Sequence, residues 1–264
     1  MGPKKNFFVL ENISKSYGEN HVLTEITLYV NEGEFVCILG NTGCGKSTLL
    51  KIMGGIELPD EGKVIFQGTP RERKNTPASQ SCFGMVFQKD QLMDWRTVYE
   101  NVRFPLEIFG VNGADGPSRV EEILDVVGLK KFGNLYPREL SGGMRQRAAI
   151  ARSLVHDPNV LFLDQPFDAV DAISRKALSF ELLDIWRKTS KTIVMITNSI
   201  DEALLLGGRV VVMSDAPSSI AGTFEVGLLH KEKTGDFRES QAFWSLRRKI
   251  RQTLECRQLC EEAV

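Results

Sequence analysis

The sequence predicts an α/β fold with a mainly parallel sheet, antiparallel N-terminal strands and an inserted helical subdomain. Short apolar runs alternate with helical patterns at both ends of the chain, which is typical of a parallel sheet with helices on both faces. Residues 90–156 between them read as helical. The chain has 264 residues, 42% of them hydrophobic, which is enough to bury a sizeable core.

Strands are predicted where a short apolar run stops at a turn signal. The predicted strands are residues 7–10, 23–30, 35–39, 63–66, 83–87, 160–163, 192–197 and 209–213. The predicted helices are residues 45–53, 144–155, 172–188 and 201–206. Within the helical segment, Pro105, residues 110–117 and Tyr136-Pro137 are expected to separate the helices.

The C-terminal tail predicts one more helix. Phe243, Leu246, Ile250 and Leu254 recur at intervals of three or four residues, which places them on one helical face. Basic residues lie mostly off that stripe. A helix on a membrane surface fits this pattern, but a helix docked on its own domain is favoured, because a basic solvated face is ordinary.

Composition excludes several classes of protein. With 33 Lys+Arg against 34 Asp+Glu the formal charge is -1, which disfavours nucleic acid as the main partner. No apolar run approaches the ~18 residues of a transmembrane helix, and the N-terminus lacks a secretory signal. Any membrane role is therefore expected through a partner. The cysteines, Cys37, Cys44, Cys82, Cys256 and Cys260, match neither a disulfide framework nor a zinc pair.

Residues 40–47 fit the phosphate-loop pattern G-x-x-x-x-G-K-[ST] between a predicted strand and a predicted helix. Glycines let the backbone N–H groups point at a phosphate, and the helix presents its positive end there. We expect Lys46 to neutralise β- and γ-phosphate oxygens and Ser47 to bind Mg²⁺. The alternative, a chance glycine-rich turn, is disfavoured by the strand and helix on either side. Cys44 is expected to fill space.

A magnesium site also needs a carboxylate at the end of a neighbouring strand. Asp164 supplies one, because it follows the apolar run 161–163 and parallel sheets place ligand chemistry at the carboxyl ends of their strands. The signal is strong only together with the phosphate loop.

Residues 140–147, Leu-Ser-Gly-Gly-Met-Arg-Gln-Arg, resemble the signature segment of ATP-binding-cassette (ABC) ATPases. The resemblance extends from about Phe8 to Met213 and includes the order of the motifs. It implies the ABC-ATPase P-loop fold, with a RecA-like catalytic core and N-terminal β subdomain over residues 1–89 and 157–230. The helical subdomain would cover residues 90–156 and a C-terminal helical tail residues 231–264.

The resemblance further implies ATP and Mg²⁺ as cofactors and assigns the site residues. The nucleotide-binding residues would be Tyr17, Gly40, Asn41, Thr42, Gly43, Cys44, Gly45, Lys46, Ser47, Thr48, Ser141, Gly142 and Gly143. Ser47, Gln88 and Asp164 would hold the metal. Tyr17 would stack on adenine, although an ordinary strand-edge tyrosine is the alternative. The signature residues would contact ATP held by a second cassette, so the functional unit would be a pair of cassettes.

Residues 88–98 look like the importers of nitrate, sulfonates, taurine or bicarbonate. In such importers the region near Gln88 to Phe109 receives a membrane permease, which places the cassette at the cytoplasmic face of the inner or plasma membrane. Trp95, Phe104 and Phe109 would line the permease site, or belong to the helical core. A solute-binding protein is implied indirectly, and this likeness is one of fold and family only.

Two residues depart from the family's pattern. Gln165 stands where a glutamate normally follows the metal-binding Asp164, and an amide can orient water but cannot take its proton. Asn198 stands where a histidine contacts the γ-phosphate. The resemblance therefore implies an impaired catalytic group formed by Gln88, Gln165 and Asn198, beside intact phosphate binding. Asp171 aligns with the family's interface loop, although an acidic residue before a helix also serves as a cap.

Two explanations of Gln165 are open. It is either an engineered exchange that traps ATP, or one mark of a natural, degenerate member of a heteromeric cassette pair. Asn198 favours natural asymmetry or a combination of both, because an engineered trap needs one exchange only. Whether the cassettes pair as a homodimer or a heterodimer also stays open. The alternative functions are a non-hydrolytic regulatory subunit and a soluble ABC ATPase of DNA repair or translation. The last usually carries two cassettes, coiled-coil insertions or a basic surface, and none is evident in the sequence.

Overall fold

A computed structural model describes residues 6–70, 82–110, 115–168, 172–227 and 239–255. The strands are β1 (Asn6–Tyr17), β2 (Asn20–Asn31), β3 (Phe35–Leu39), β4 (Glu61–Phe66), β5 (Thr69–Pro70), β6 (Phe83–Val86), β7 (Val160–Asp164), β8 (Thr192–Thr197), β9 (Arg209–Met213) and β10 (Ile220–Glu225). The helices are α1 (Lys46–Met53), α2 (Val98–Ile108), α3 (Asp115–Val126), α4 (Gly142–Leu154), α5 (Ala172–Thr189), α6 (Ile200–Leu206) and α7 (Gln241–Glu255). Lys130–Phe132 and Pro137–Glu139 form short 3₁₀ helices.

The chain divides into two compact units. The first combines Met1–Arg73 with Val194–Val264, and the second is Lys74–Ile193. The second unit holds β6, β7 and α5 in addition to the helical segment 90–156. These limits differ from the three predicted parts, and the predicted domain boundaries stay a prediction.

The antiparallel sheet of the first unit has the strand order β2-β1-β4-β5. The register pairs Phe8 with Val30 and Leu10 with Leu28, and all four side chains are buried. Alternate residues of a strand point to one face, so this face of the sheet lies in the core. The predicted antiparallel strands at the N-terminal end are present, and β1 and β2 are longer than their apolar runs indicate.

The first unit also contains the strand that carries the phosphate loop. β3 lies parallel to β9, and β10 pairs antiparallel with the other edge of β9. All five residues of β3 are buried, which agrees with the continuous apolar run expected of a strand that is covered on both faces. Its carboxyl end at Leu39 therefore has a fixed position, from which residues 40–47 continue.

The second unit combines two parallel strands, β6 and β7, with the helical segment. α2 packs against α3 and α4, and α4 packs against β6. Gly84 in β6 allows this packing, because a Cβ there would lie 2.3 Å from the carbonyl oxygen of Ser153 in α4. Larger residues would push the helix away from the strand.

The expectation that Pro105 separates two helices is wrong. Pro105 lies inside α2, although proline removes a backbone donor and usually ends a helix. Packing outweighs that cost, because α2 buries Val98, Val102 and Leu106 on one face and begins with a capping box at Thr97. The predicted loop 110–117 is also too long, because α3 begins at Asp115.

α7 docks on its own unit, as the sequence favours. It packs against α6, β9 and β10, and it buries Phe243 and Ile250. Arg247 forms an ion pair with Asp201 of α6, with 2.7 Å between Nε and Oδ1. No helix of the described residues is both long and apolar enough to span a lipid bilayer. Cys256 and Cys260 lie outside the described residues.

Candidate functional site

The phosphate loop connects β3 to α1 with two left-handed glycines. Gly43 and Gly45 have φ angles of 87° and 93°, a region that costs residues with a side chain about 1–2 kcal/mol. A Cβ at Gly45 would lie 2.7 Å from Cγ1 of Val22, whereas a Cβ at Gly43 would meet nothing within 4 Å. Gly45 therefore packs against β2, whereas the position of a Cβ at Gly43 is open.

The N-terminus of α1 is suited to an anion. Gly45 caps the helix without a side-chain hydrogen bond, and the first turn has no acidic residue. Ser47 and Thr48 of this turn are half-buried. First-turn N–H groups and the helix dipole together favour a negative group at such an end. The loop and the turn thus have the form of the predicted phosphate cradle.

The ammonium group of Lys46 contacts the backbone at the start of the phosphate loop. Its residue is only 3% exposed, and Nζ donates hydrogen bonds to the carbonyl oxygens of Gly40 at 2.9 Å and Asn41 at 2.6 Å. These bonds satisfy a buried cation that would otherwise be costly. They also keep the positive charge beside the backbone that curls around the predicted phosphate position.

Two residues that the sequence analysis missed brace this loop. Asp215 accepts a hydrogen bond from Nδ2 of Asn41 at 2.9 Å. Ser218 is fully buried, and its hydroxyl contacts the carbonyl oxygens of Cys44 and Ser214. The segment after β9 therefore holds the phosphate loop at two points, Asn41 and Cys44.

Cys44 is a buried part of the loop, consistent with the expected filler role. Burial is the largest influence on its thiol and raises its pKa, and the nearby ammonium of Lys46 opposes this. The raised pKa keeps Cys44 in its thiol form at neutral pH. Because the thiolate is the reactive form, Cys44 is unreactive there.

Tyr17 lies at the end of β1 and is 48% exposed. Its hydroxyl donates a hydrogen bond to Glu57, and Nζ of Lys15 lies 5.5 Å from the ring centre. Burial, followed by the bond to Glu57, raises the pKa of Tyr17. The ring is anchored at its hydroxyl end and accessible elsewhere, which suits the predicted stacking on adenine.

Asn198 lies exposed at the corner between β8 and α6. The corner itself is rigid, because Thr197 donates to Glu202 at 2.6 Å and accepts from the N–H of Ser199 at 3.0 Å. Ser199 then caps α6 through the N–H of Glu202. Among the described residues, the Asn198 side chain has no hydrogen-bond partner.

Gly45→Ala is expected to lower the free energy of unfolding by about 2–3 kcal/mol, because it combines left-handed strain with overpacking against Val22. The displaced loop should also weaken ATP binding. Gly68→Ala is the matched control: Gly68 has a φ of 79° but open space around it, so only the backbone cost of about 1 kcal/mol applies. Denaturant unfolding and nucleotide titration measure both effects. Equal destabilisation by the two variants would contradict the packing argument.

In the second unit, β7 ends at Asp164, and Gln165 follows with a positive φ of 46°. Nε2 of Gln88 lies 3.4 Å from both Oε1 of Gln165 and Oδ2 of Asp168. The structure thus brings two predicted catalytic residues, Gln88 and Gln165, into one cluster of polar groups. Asp168 joins this cluster, and Asp171 of the predicted interface loop lies outside the described residues.

The signature segment opens α4. Ser141 is the N-cap and accepts a hydrogen bond from the N–H of Met144 at 3.3 Å. A Cβ at Gly142 would lie 3.9 Å from Nη2 of Arg145, an ordinary contact distance, and a Cβ at Gly143 would approach Leu178 of α5 to 3.3 Å. The helix begins two residues before the predicted Met144, and Ser141 and Gly142 are exposed. This end of α4 is accessible to an anion.

Asp90 connects the signature helix to the segment after Gln88. Its carboxylate accepts a hydrogen bond from Nε of Arg145 at 3.1 Å. Arg152 donates to the carbonyl oxygens of Asp90 and Gln91 at 3.0 and 2.8 Å, and burial lowers the pKa of Arg152. Two arginines of α4 therefore fix the path of residues 90–91.

The segment 91–97 presents Trp95, which is 77% exposed. Asn101, which is fully buried, holds this segment. Its Nδ2 donates to the carbonyl oxygens of Met93, Arg96 and Thr97, and its Oδ1 accepts from the N–H of Met93 at 2.8 Å. The sequence analysis missed Asn101, because an asparagine inside a helical pattern gives no sign of such contacts.

Asn101→Ala is expected to lower the free energy of unfolding by about 2–3 kcal/mol, since it removes the side-chain partners of the part-buried N–H of Met93 and carbonyl oxygen of Arg96 and leaves a small cavity. The fluorescence of Trp95 should change as the segment loosens. Asn134→Ala is the control, because Asn134 is exposed in the same unit. A destabilisation no larger than that of the control would refute the role of Asn101. Denaturant unfolding measures the difference.

Phe104 and Phe109 are half-buried. The guanidinium of Arg96 lies 4.8 Å from the ring centre of Phe104, and the ring of Phe109 lies 5.2 Å from that of His156. Both aromatic rings therefore contribute to packing within the second unit, and Trp95 is the accessible member of the predicted permease-facing set.

The predicted metal ligands fall in both units. Ser47 belongs to the first unit, and Gln88 and Asp164 belong to the second. Within either unit's described residues, no group of three or more His, Cys, Asp or Glu side chains could hold a metal. The metal site therefore stays a prediction that rests on a hydroxyl, an amide and a carboxylate, which are oxygen ligands of the kind that Mg²⁺ prefers.

Solved structures with this fold are ATP-binding cassettes. A dimeric cassette in a post-hydrolysis state, bound to ADP and Pi, superposes with a TM-score of 0.70 at 34% identity, covering 83% of this chain and 98% of that one. A cassette from the cbiONQ transporter complex of Clostridium perfringens gives a TM-score of 0.75 at 27% identity, covering 86% of this chain and 92% of that one. The predicted fold class is confirmed.

Curated relatives align along nearly the whole chain. An aliphatic sulfonates import ATP-binding protein of Bacillus cereus is 40% identical over 94% of both chains. A taurine import ATP-binding protein of Rhizobium johnstonii is 40% identical over 90% of this chain and 91% of its own. An uncharacterised ABC transporter ATP-binding protein of Methanocaldococcus jannaschii is 42% identical over 91% of this chain and 88% of its own. The family model described as ABC transporter matches residues 23–168, and the chain belongs to the ATP-binding proteins of this family.

Proposed function

We propose that this chain is the ATP-binding, energy-coupling subunit of an importer for a small anion. Relatives that act in the import of aliphatic sulfonates and of taurine, each at 40% identity, support this class of solute. Sulfonates and taurine are the first candidates, followed by nitrate and bicarbonate. The solute would be selected by a permease and a solute-binding protein, since the cassette supplies energy rather than recognition.

The phosphate loop would bind the triphosphate. Lys46 places a positive charge at the loop, the first turn of α1 offers N–H groups, and the glycine backbone leaves the space that phosphate oxygens need. Mg²⁺, held by Ser47, Gln88 and Asp164, would neutralise charge on the β- and γ-phosphates. Tyr17 would stack on the adenine ring.

The proposal that this chain hydrolyses ATP slowly rests on one observation, the amide at Gln165. Gln165 follows Asp164 at the end of β7, at the position where the family normally has glutamate. Its Oε1 lies 3.4 Å from Nε2 of Gln88. The two amides can orient a water molecule but cannot accept its proton. Losing a positioned general base costs about 10²–10⁴-fold in rate. The chain would therefore bind ATP and hydrolyse it slowly.

The signature segment at the start of α4 supports a role for this chain in a pair of cassettes, although its own site would hydrolyse ATP slowly. Ser141, Gly142 and Gly143 retain the small side chains, the hydroxyl and the free helix end that would close over ATP held by another cassette. The chain would thus be the degenerate member of a heteromeric pair, with an impaired site of its own. ATP would favour the closed pair because it binds that state more tightly than the open one.

The exposed segment 91–97 would face the permease. Trp95 supplies an accessible aromatic surface on a segment that Asn101 fixes by four hydrogen bonds. Accessible aromatic residues on a rigid support are typical of protein interfaces. This contact would hold the cassette at the cytoplasmic face of the inner or plasma membrane, and closure of the pair would turn the transport site outward.

ATP turnover tests this proposal when it is measured for the chain alone, for its partner cassette alone, and for the assembled complex with permease. The expected result is ATP binding with little turnover by the chain alone and full turnover in the complex. Appreciable turnover by the chain alone would contradict the degenerate site. A native assembly that contains two copies of this chain would contradict the heteromeric pair.

Gln165 also favours a second candidate, a regulatory subunit that clamps on ATP without any hydrolysis. In that case the complete complex would bind ATP and show no turnover at all. The same measurement separates the two functions, since the importer requires at least one hydrolytic site in the pair.

A further inference from the structure

A cavity of about 590 Å³ lies beside the C-terminal helix, within the first unit. The end of β9, the strand β10 and the helix α7 form its walls. Asp215, Lys249 and Gln252 contribute polar groups, and Ile220, Phe224 and Leu254 contribute apolar surface. Its volume falls in the range of cavities that bind small molecules, which combine apolar walls with a few polar groups.

The cavity contains one acidic and one basic side chain on different walls. Asp215 comes from the segment after β9, and Lys249 comes from α7. Among the described residues, Lys249 forms no ion pair within 4.0 Å, Gln252 has no side-chain hydrogen bond, and Asp215 uses Oδ1 alone. The remaining carboxylate oxygen and the ammonium group are therefore available to a ligand that carries both charges.

The segment after β9, which contributes Asp215 to the cavity, also supports the phosphate loop. Asp215 accepts the hydrogen bond from Asn41, and Ser218 links Ser214 to the carbonyl oxygen of Cys44. Ser214 and Asp215 line the cavity. A ligand that orders this segment would therefore order two of the attachments that hold the loop.

We propose that this cavity binds a small zwitterion, an amino carboxylate or an amino sulfonate, and that its binding strengthens ATP binding at the phosphate loop. The ammonium group of the ligand would pair with Asp215 and its acidic group with Lys249, while a short carbon chain rests on Phe224 and Leu254. Because the cavity and the phosphate loop share this segment, a ligand that orders it at one site would favour binding at the other, and a coupling free energy acts equally in both directions.

Calorimetric titration of the full chain with taurine and with β-alanine tests the binding site. At least one of them should bind at concentrations up to about 10 mM, and ethanesulfonate and ethylamine, which carry one charge each, should bind more weakly. Tighter binding of taurine would identify an amino sulfonate site, and tighter binding of β-alanine an amino carboxylate site. Lys249→Gln should weaken binding about tenfold. Arg248→Gln, on the exposed neighbour, should not.

ATP titration with and without the bound zwitterion tests the coupling. The apparent ATP affinity should rise about fivefold, the lower end of ordinary allosteric coupling. Ser218→Ala should reduce this factor while the zwitterion still binds, because it breaks the link between Ser214 and Cys44.

Three results would overturn the inference: no zwitterion binding, equal binding by Lys249→Gln, or an unchanged ATP affinity. A chain that binds ATP but no zwitterion would refute this inference alone. A chain that binds no ATP would refute the proposed function.

Discussion

Replacing Gln165 with glutamate is expected to raise ATP turnover by about 10²–10⁴-fold, because it adds a proton acceptor where only a hydrogen-bonding amide is present. The exchange keeps the length of the side chain. The amide nitrogen of Gln88 can donate to a carboxylate oxygen as well as to Oε1 of Gln165, at the present distance of 3.4 Å. The polar cluster at the end of β7 should therefore accept glutamate without rearrangement. Steady-state phosphate release from the purified chain, with and without its partner cassette, measures the gain.

Gln165→Ala is the control for that gain. It removes the oxygen as well as the acid, so turnover should stay at or below that of the parent chain. Asn198→His is the second test, and it need not add to the first, because residues that serve one reaction step are not independent. A Gln165→Glu chain that binds ATP normally and gains less than about tenfold would show that the loss of the base does not limit this site.

The fold was predictable where its signal is local. The phosphate loop depends on backbone conformations that only glycine adopts easily, so Gly43 and Gly45 identify it without any knowledge of their surroundings. Apolar runs identify β3 and β7 for the same reason, since both strands are buried on both faces. α2 shows the limit: the sequence predicts a break at Pro105, but the burial of one helical face against α3 and α4 decides otherwise.

The support of the candidate site was not predictable, because it depends on contacts between residues far apart in sequence. Asn41 and Asp215 are separated by 174 positions, and Cys44 and Ser218 by the same number. Nothing in the chain around Asp215 or Ser218 marks them. Asn101 is closer to the segment that it holds, yet its four hydrogen bonds need a three-dimensional arrangement. Motifs show which atoms meet a ligand, and the fold shows what keeps those atoms in place.

Lys46→Ala is expected to weaken ATP binding about 100-fold, because a hydrogen bond that involves a charged group contributes about 1.5–3 kcal/mol. In the structure the ammonium already has two carbonyl acceptors, at 2.9 and 2.6 Å, and its residue is 3% exposed. The charge is therefore positioned before a phosphate arrives, and little ordering cost remains to be met on binding. Equilibrium titration with a fluorescent ATP analogue measures the loss.

Lys51→Ala is the matched control, since Lys51 lies on the same helix and is exposed; its removal should leave ATP binding unchanged. Lys46→Arg separates charge from fit. Arginine keeps the positive charge but carries a wider, planar group, which cannot reproduce the contacts of the compact ammonium with the carbonyl oxygens of Gly40 and Asn41. Weak binding by both Lys46 variants would show that the position of the charge matters. Normal binding by Lys46→Arg would show that net charge at the loop is sufficient, and that the two carbonyl contacts serve stability rather than nucleotide binding.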